Sequence, residues 1–290
     1  MDITLQSLLF FIIITIGYFI AIKPKLTLDK MPVLNIDPIT GKVASTSSTC
    51  YDEYKSSIFP KLALYLLIVC LVQFILNTAY LTDKCGGEVR GNIGVAALYT
   101  FFPWLIMFGI MMAVLIIFPG FKSAFSDVIG YFSIAGGAGD IFAKIMKNEL
   151  PPPTPGSTAN KELEATVDTV TKLLGNSGIL INKITPDNFI EMWHMLTPLM
   201  RDDVKANTNN MGQQYKSELL ALVVQKDNIG EALWYIYTAI LITSIVYYNL
   251  ASRGCVKSVE QIKAGYDDYL KQQEEVEAEK KATTTPAVVS

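Results

Sequence analysis

Four stretches of this chain, residues 3–22, 62–81, 93–118 and 232–250, carry no Lys, Arg, Asp, Glu or His. A helix rises about 1.5 Å per residue, so some 20 apolar residues cover the roughly 30 Å hydrocarbon core of a bilayer. Each stretch is therefore long enough to cross, and the third has length to spare for a tilt or kink. The expected fold class is an all-α integral membrane protein: four transmembrane helices plus a mostly helical extramembrane domain. The composition agrees. Only 18% of the 290 residues are charged, against about 25% in soluble domains.

Residues 1–22 read as a retained anchor. A signal peptide has a basic leader, a shorter apolar core and a small-residue cleavage site, whereas only Met1 and Asp2 precede this run and Lys23-Pro24-Lys25 closes it. Residues 23–61 form a loop. In the second span Gln73 and Asn77 lie four apart on one helix face, which points to helix–helix packing, since buried amides prefer a protein partner to lipid. Pro103 lacks an N–H and crowds the carbonyl of Tyr99, so the third span bends there. Met107, Met111 and Met112 follow as packing or lipid-facing residues. Trp234, Tyr235 and Tyr237 at one end of the fourth span, with Tyr247 and Tyr248 at the other, form interfacial aromatic belts.

Residues 119–231 make the one block large enough for an extramembrane domain. Phe121, Phe125, Val128, Ile129 and Phe132 recur at helical spacing, as in a helix lying on the bilayer surface. Gly136, Gly137 and Gly139 then break or loosen it. Their cluster lacks the phosphate-loop pattern. A Pro-rich spacer at 151–156 cannot be helical. Beyond it, Leu163, Val167, Val170 and Leu174 form an apolar stripe suited to binding a partner. Thr185-Pro186 opens a short helix through Met195, and a helix over 213–226 leads into the fourth span. The tail, 251–290, is charged and helical, with Val259, Ile262, Tyr266, Tyr269 and Leu270 on one side.

No catalytic, cofactor-binding or metal-ligating constellation emerges. His194 is the single histidine, and beside Trp193 it reads as a packing residue. No enzyme activity is expected. A net charge of −3 gives no basic footprint for nucleic acid. Proton relays, voltage sensors and ion-coupled transporters need ionisable groups in the membrane, and the four runs hold none.

Four spans place both termini and the loop 82–92 on one side, with 23–61 and 119–231 on the other. Near the span ends the second side carries Lys23, Lys25, Lys30, Lys55, Lys61, Lys122, Lys216 and Lys226. The first carries Lys84, Arg90, Arg253, Lys257 and Lys263. Eight cations against five place the large loops in the cytosol. Cys85 and Cys255 then share the opposite face, where an oxidising compartment would permit a disulfide between them.

Phe118–Tyr131, FPGFKSAFSDVIGY, resembles a segment of membrane proteins of large icosahedral DNA viruses of the chlorovirus-like group: a Pro-Gly after a span, then F-S-x-x-x-G-Y. Pro119, Gly120, Phe125, Ser126, Gly130 and Tyr131 match, while Asp127 and Val128 stand where the pattern has Asn and Thr. The resemblance covers 14 of 290 residues. It implies a minor capsid protein in the internal membrane of a virion, part of a large assembly, tethering the bilayer to the capsid or to other membrane proteins. Two rivals stand beside it. Gln73, Asn77 and Pro103 motivate a small channel or transporter accessory subunit, and a virus entry or fusion protein is the other.

Overall fold

A computed structural model of the chain describes residues 3–36, 43–46, 48–85, 90–147, 177–255 and 259–283. Helix α1 (Ile3–Gly17) continues through a π turn, Tyr18–Ile22, and stops at Lys23, whose backbone turns extended. A short antiparallel hairpin follows, β1 (Val33–Ile36) with β2 (Val43–Thr46), pairing Val33 with Thr46 and Ile36 with Val43. It is the one strand pairing of more than a single bridge among the described residues, in an otherwise helical chain.

Helix α2 (Thr49–Lys84) is capped by Ser48, whose hydroxyl accepts the Tyr51 N–H at 3.2 Å. It begins well before residue 62, where the second span was expected to start, and runs through Pro60. One proline costs this helix a single internal bond, to the Ser56 carbonyl. The cap and the burial of Tyr51 hold the turns before it. Next, α3 (Arg90–Pro103), a π turn (Trp104–Phe108) and α4 (Gly109–Ile117) form one rod. The π turn starts directly after Pro103, where the missing donor and the ring's bulk widen the ladder.

A 3₁₀ turn (Pro119–Lys122), α5 (Ser123–Phe125), a π turn (Ser126–Gly130) and α6 (Tyr131–Ile145) follow without a gap. The expected break at Gly136, Gly137 and Gly139 is corrected. α6 runs through all three, and a Cβ on Gly137 would lie only 3.3 Å from a Leu222 methyl carbon. After α7 (Ser177–Lys183) come α8 (Phe189–Leu196) and α9 (Asp202–Lys205). α8 starts three residues later than Thr185-Pro186 suggests. Thr185 and Asn188 instead bond reciprocally, each side chain accepting the other's N–H. Helix α10 (Met211–Ser252) joins the expected helix 213–226 and the fourth span into one element, and α11 (Val259–Thr283) forms the tail. The Pro-rich spacer and the stripe Leu163, Val167, Val170 and Leu174 lie outside the described residues.

Two apolar cores result. One, in the bundle of α1, α2, α3–α4 and the C-terminal half of α10, is built from Phe11, Tyr65, Val69, Trp104, Phe108, Tyr235, Ile242 and Val246. The other gathers Ile134, Ile141 and Ile145 from α6, Ile181 and Ile184 around α7, Phe189 from α8, and Leu219, Leu220 and Val223 from the N-terminal half of α10. The 42 residues of α10 extend about 63 Å and the 36 of α2 about 54 Å, far beyond a 30 Å bilayer core. Both helices therefore pass from one core into the other.

The bundle is apolar outside as well as inside. Leu67, Ile75, Leu98, Phe102 and Ile110 are exposed on its surface, as on helices that meet lipid. Among the described residues, five helical segments are long and apolar enough to cross a bilayer, not the four expected. The additional one, Pro119–Ile145, reaches that standing because its outer face carries Phe121, Val128, Ile129 and Phe132, all exposed. Its inner face packs in the second core, beside the bundle's continuation.

That packing is tight enough to require glycine. A Cβ on Gly230 would lie 2.7 Å from the Ser126 Cβ and 2.9 Å from the Lys122 carbonyl, and one on Gly130 would lie 2.7 Å from the Lys226 carbonyl. Gly230→Ala should lower stability by about 1–3 kcal/mol through overpacking. Gly94→Ala, with no atom within 4 Å of the new methyl, should be neutral or mildly stabilising. Thermal unfolding in detergent micelles compares the two.

Candidate functional site: a buried ion cluster and cavity at the junction of the two cores

Where the bundle meets the second core, two cations and two carboxylates converge from three separate parts of the chain. Lys23 follows the end of α1, and Lys122 sits in the 3₁₀ turn begun by Pro119 after α4. Asp227 and Glu231, four apart on α10, share one face. Glu231 Oε2 accepts from Lys23 Nζ at 3.0 Å and from Lys122 Nζ at 2.8 Å, while Oε1 accepts from the Tyr235 hydroxyl at 2.9 Å. Lys122 also reaches Asp227 at 2.9 Å, and Lys23 reaches Asn228 Oδ1 at 2.7 Å. The four side chains are between 8% and 19% exposed. Burial pushes the Lys23 ammonium below its ordinary pKa, with the Glu231 carboxylate opposing.

A second pair lies one turn earlier. Lys226 Nζ, buried, bonds Asp127 at 3.0 Å and the Ile181 carbonyl at 3.1 Å, and Asn182 Nδ2 donates to the Asp127 carbonyl at 3.0 Å. Residues 226–231 of α10 thus hold the ends of α1 and α4, the π turn at Ser126–Gly130, and α7. Trp234 adds an indole N–H to the Phe121 carbonyl at 2.8 Å.

A cavity of about 720 Å³ adjoins the cluster. Tyr18, Lys23, Tyr51, Tyr54, Ile58, Phe59, Ile116, Ile117, Lys122, Asp227 and Glu231 are among the residues lining it. The Tyr18 ring stacks on Tyr65 with centroids 4.4 Å apart. Its hydroxyl is buried and has no hydrogen-bond partner among the described residues.

At the far end of the bundle Cys85 and Cys255 are joined, their Cα atoms 5.4 Å apart. Beside them Lys84 Nζ donates to the carbonyls of Leu250, Ala251 and Arg253 at 2.6–3.0 Å, a cation on the carbonyls that end α10. The amides of Gln73 and Asn77 have partners on neighbouring helices. Gln73 accepts from the Ser7 hydroxyl and donates to the Ser7 carbonyl at 3.0 Å, and Asn77 donates to Thr100 at 2.8 Å. The space beside them is about 10 Å³, room for roughly one water. Trp193 stacks on Phe189 beneath Lys216, and His194 is half-buried.

Sequence reasoning used Lys23 and Lys122 only as topology markers and missed the cluster. Its signal was present: opposite charges abutting three apolar runs, with two carboxylates in helical register. Comparison with family models, with curated proteins and with solved structures finds no match to this chain.

Removing one member of a buried ion pair strands its partner, typically at a loss of 3–5 kcal/mol. Glu231→Gln should cost about that much in denaturant unfolding, far more than Asp202→Asn on the exposed surface. A separate test concerns the cysteines. Non-reducing digestion should yield one linked peptide pair containing Cys85 and Cys255, and reduction should cost about 2–5 kcal/mol. Free thiols at both positions under mild alkylation would contradict the linkage.

Proposed function

We propose that this chain is a four-span membrane protein with a mechanical role: it holds a helical platform rigidly against one face of a bilayer, ready to join the membrane to a protein layer. The observation that carries this reading is the pair of helices, α2 and α10, that run unbroken from the apolar bundle into the second core, with α10 locked at the junction to the ends of α1 and α4 by the Lys23, Lys122, Asp227 and Glu231 cluster. The charges there saturate one another, which suits a clamp better than a reacting centre.

The linkage of Cys85 to Cys255 supports four spans. Both residues must share one side of the membrane, so an even number of crossings separates them. α3–α4 and the apolar half of α10 supply two, and a further crossing by Pro119–Ile145 would put the cysteines on opposite faces. That segment then lies along the interface, its exposed Phe121, Val128, Ile129 and Phe132 meeting the lipid surface. The disulfide's need for an oxidising compartment supports a cytosolic platform, in agreement with the lysine bias of the large loops.

Two stretches of sequence are candidates for binding a partner. On α11, Val259, Ile262, Tyr266 and Tyr269 are spaced three, four and three apart, Val276 follows seven residues on, and all are exposed, the pattern of a helix that packs against another. The stripe Leu163, Val167, Val170 and Leu174 is the other. The resemblance of Phe118–Tyr131 makes a capsid layer over the internal membrane of a virion the favoured setting.

Sidedness tests the span count. With Cys50 and Cys70 replaced by Ser, single cysteines at Glu218 and Lys263 should label from opposite faces of sealed vesicles, and cysteines at Asp29 and Glu218 from the same face. Rigidity tests the role. Spin labels at positions 195 and 252 should give one narrow distance distribution that Glu231→Gln broadens. A broad distribution in the unaltered chain would remove the mechanical reading. In the assembled particle, charged replacements of Leu163, Val167 and Val170 should impair assembly while leaving membrane insertion intact.

A further inference from the structure

We propose that the cavity between the foot of α2 and the end of α4 binds one membrane lipid with a headgroup of no net charge, such as phosphatidylcholine. The cavity lies where the apolar bundle gives way to the polar platform, the level at which headgroups sit. Phe59, Ile116 and Ile117 line it and are also exposed on the bundle surface, 73%, 46% and 66% respectively, so the cavity is continuous with the region occupied by acyl chains. Its volume of about 720 Å³ falls within the roughly 300–1,000 Å³ typical of sites for small organic molecules.

The polar end points to a ligand independently. Tyr18 lines the cavity and is 1% exposed, and its hydroxyl is buried with no partner among the described residues. A buried hydroxyl left unpaired costs about 1–3 kcal/mol, and a phosphate or ester oxygen of a lipid would accept its proton. The walls select the head. Lys23 and Lys122 are already saturated by Asp227 and Glu231, and the further charges on the lining, Lys55 and Asp187, are opposite in sign. An anionic head finds no surplus cation, and a cationic head no surplus anion.

The test uses the full chain in phosphatidylcholine vesicles with a trace of phosphatidylcholine bearing a diazirine in an acyl chain. After photolysis, labelled peptides are mapped by mass spectrometry. Labelling over residues 51–62 and 115–119 should exceed that at the ordinary lipid-facing positions Leu67, Leu71 and Ile75 several-fold. Ile58→Trp, which fills the cavity, should abolish the excess. Tyr18→Phe keeps the ring stack, loses only the hydroxyl, and should reduce the excess at least twofold. A diazirine phosphatidylglycerol should label the cavity less. Even labelling along α2, an excess that survives Ile58→Trp, or one unchanged in Tyr18→Phe would overturn the proposal. Equal or stronger labelling by phosphatidylglycerol would overturn the assignment of a net-neutral head. These outcomes are separate from the rigidity test, because neither variant alters the ion cluster.

Discussion

Glu231 is the point on which the arrangement of helices turns. Its two carboxylate oxygens bind the chain just beyond α1, the chain just beyond α4, and a tyrosine of the bundle core. A buried carboxylate of this kind is expensive to desolvate and is tolerated only when its partners are placed around it. Any rotation of α10 about its axis, or a slide by one turn, would strand it against apolar neighbours. The cluster therefore acts less as a source of net stability than as a register mark. It selects one relative position of three helices among many that hydrophobic burial alone would accept.

Lipid makes such marks necessary. Inside a bilayer, apolar side chains gain little by leaving lipid for one another, so packing detail and interhelical hydrogen bonds decide how spans associate. Here the bundle is specified along its whole length. Glu231 and its lysines mark the platform end, Gln73–Ser7 and Asn77–Thr100 mark the middle, and Lys84 with the Cys85–Cys255 link marks the far end. Between these points aromatic rings interlock, with Trp104, Phe11 and Phe108 in mutual contact at centroid distances of 5.5 Å.

The segment Phe118–Tyr131 shows what its own motif does physically. Pro119 starts a new turn immediately after the span. Ser126 is small enough to face Gly230, and Gly130 lets the chain touch the Lys226 carbonyl. Asp127 then meets the Lys226 ammonium. Small residues, a proline and one carboxylate thus seat this segment directly on α10, while its Phe121 and the adjoining Phe132 remain on the outer surface.

Much of this was written in the primary structure. Uncharged runs of membrane length, their aromatic ends, the helical register of Gln73 and Asn77, and the interruption of the regular helical ladder after Pro103 are all local properties, because period and composition act through neighbours a few residues apart. The candidate site is different in kind. Lys23 lies 208 residues from Glu231, and nothing local distinguishes it from the other lysines that flank spans. Likewise the second span was expected to start only at residue 62, and the helix 213–226 and the fourth span were expected as two elements, where the structure has the single helices α2 and α10. Only tertiary packing decided otherwise. Tyr51 and the Ser48 cap carried α2 through its proline, and partners from three distant segments neutralised a charged turn that α10 could then bury without breaking.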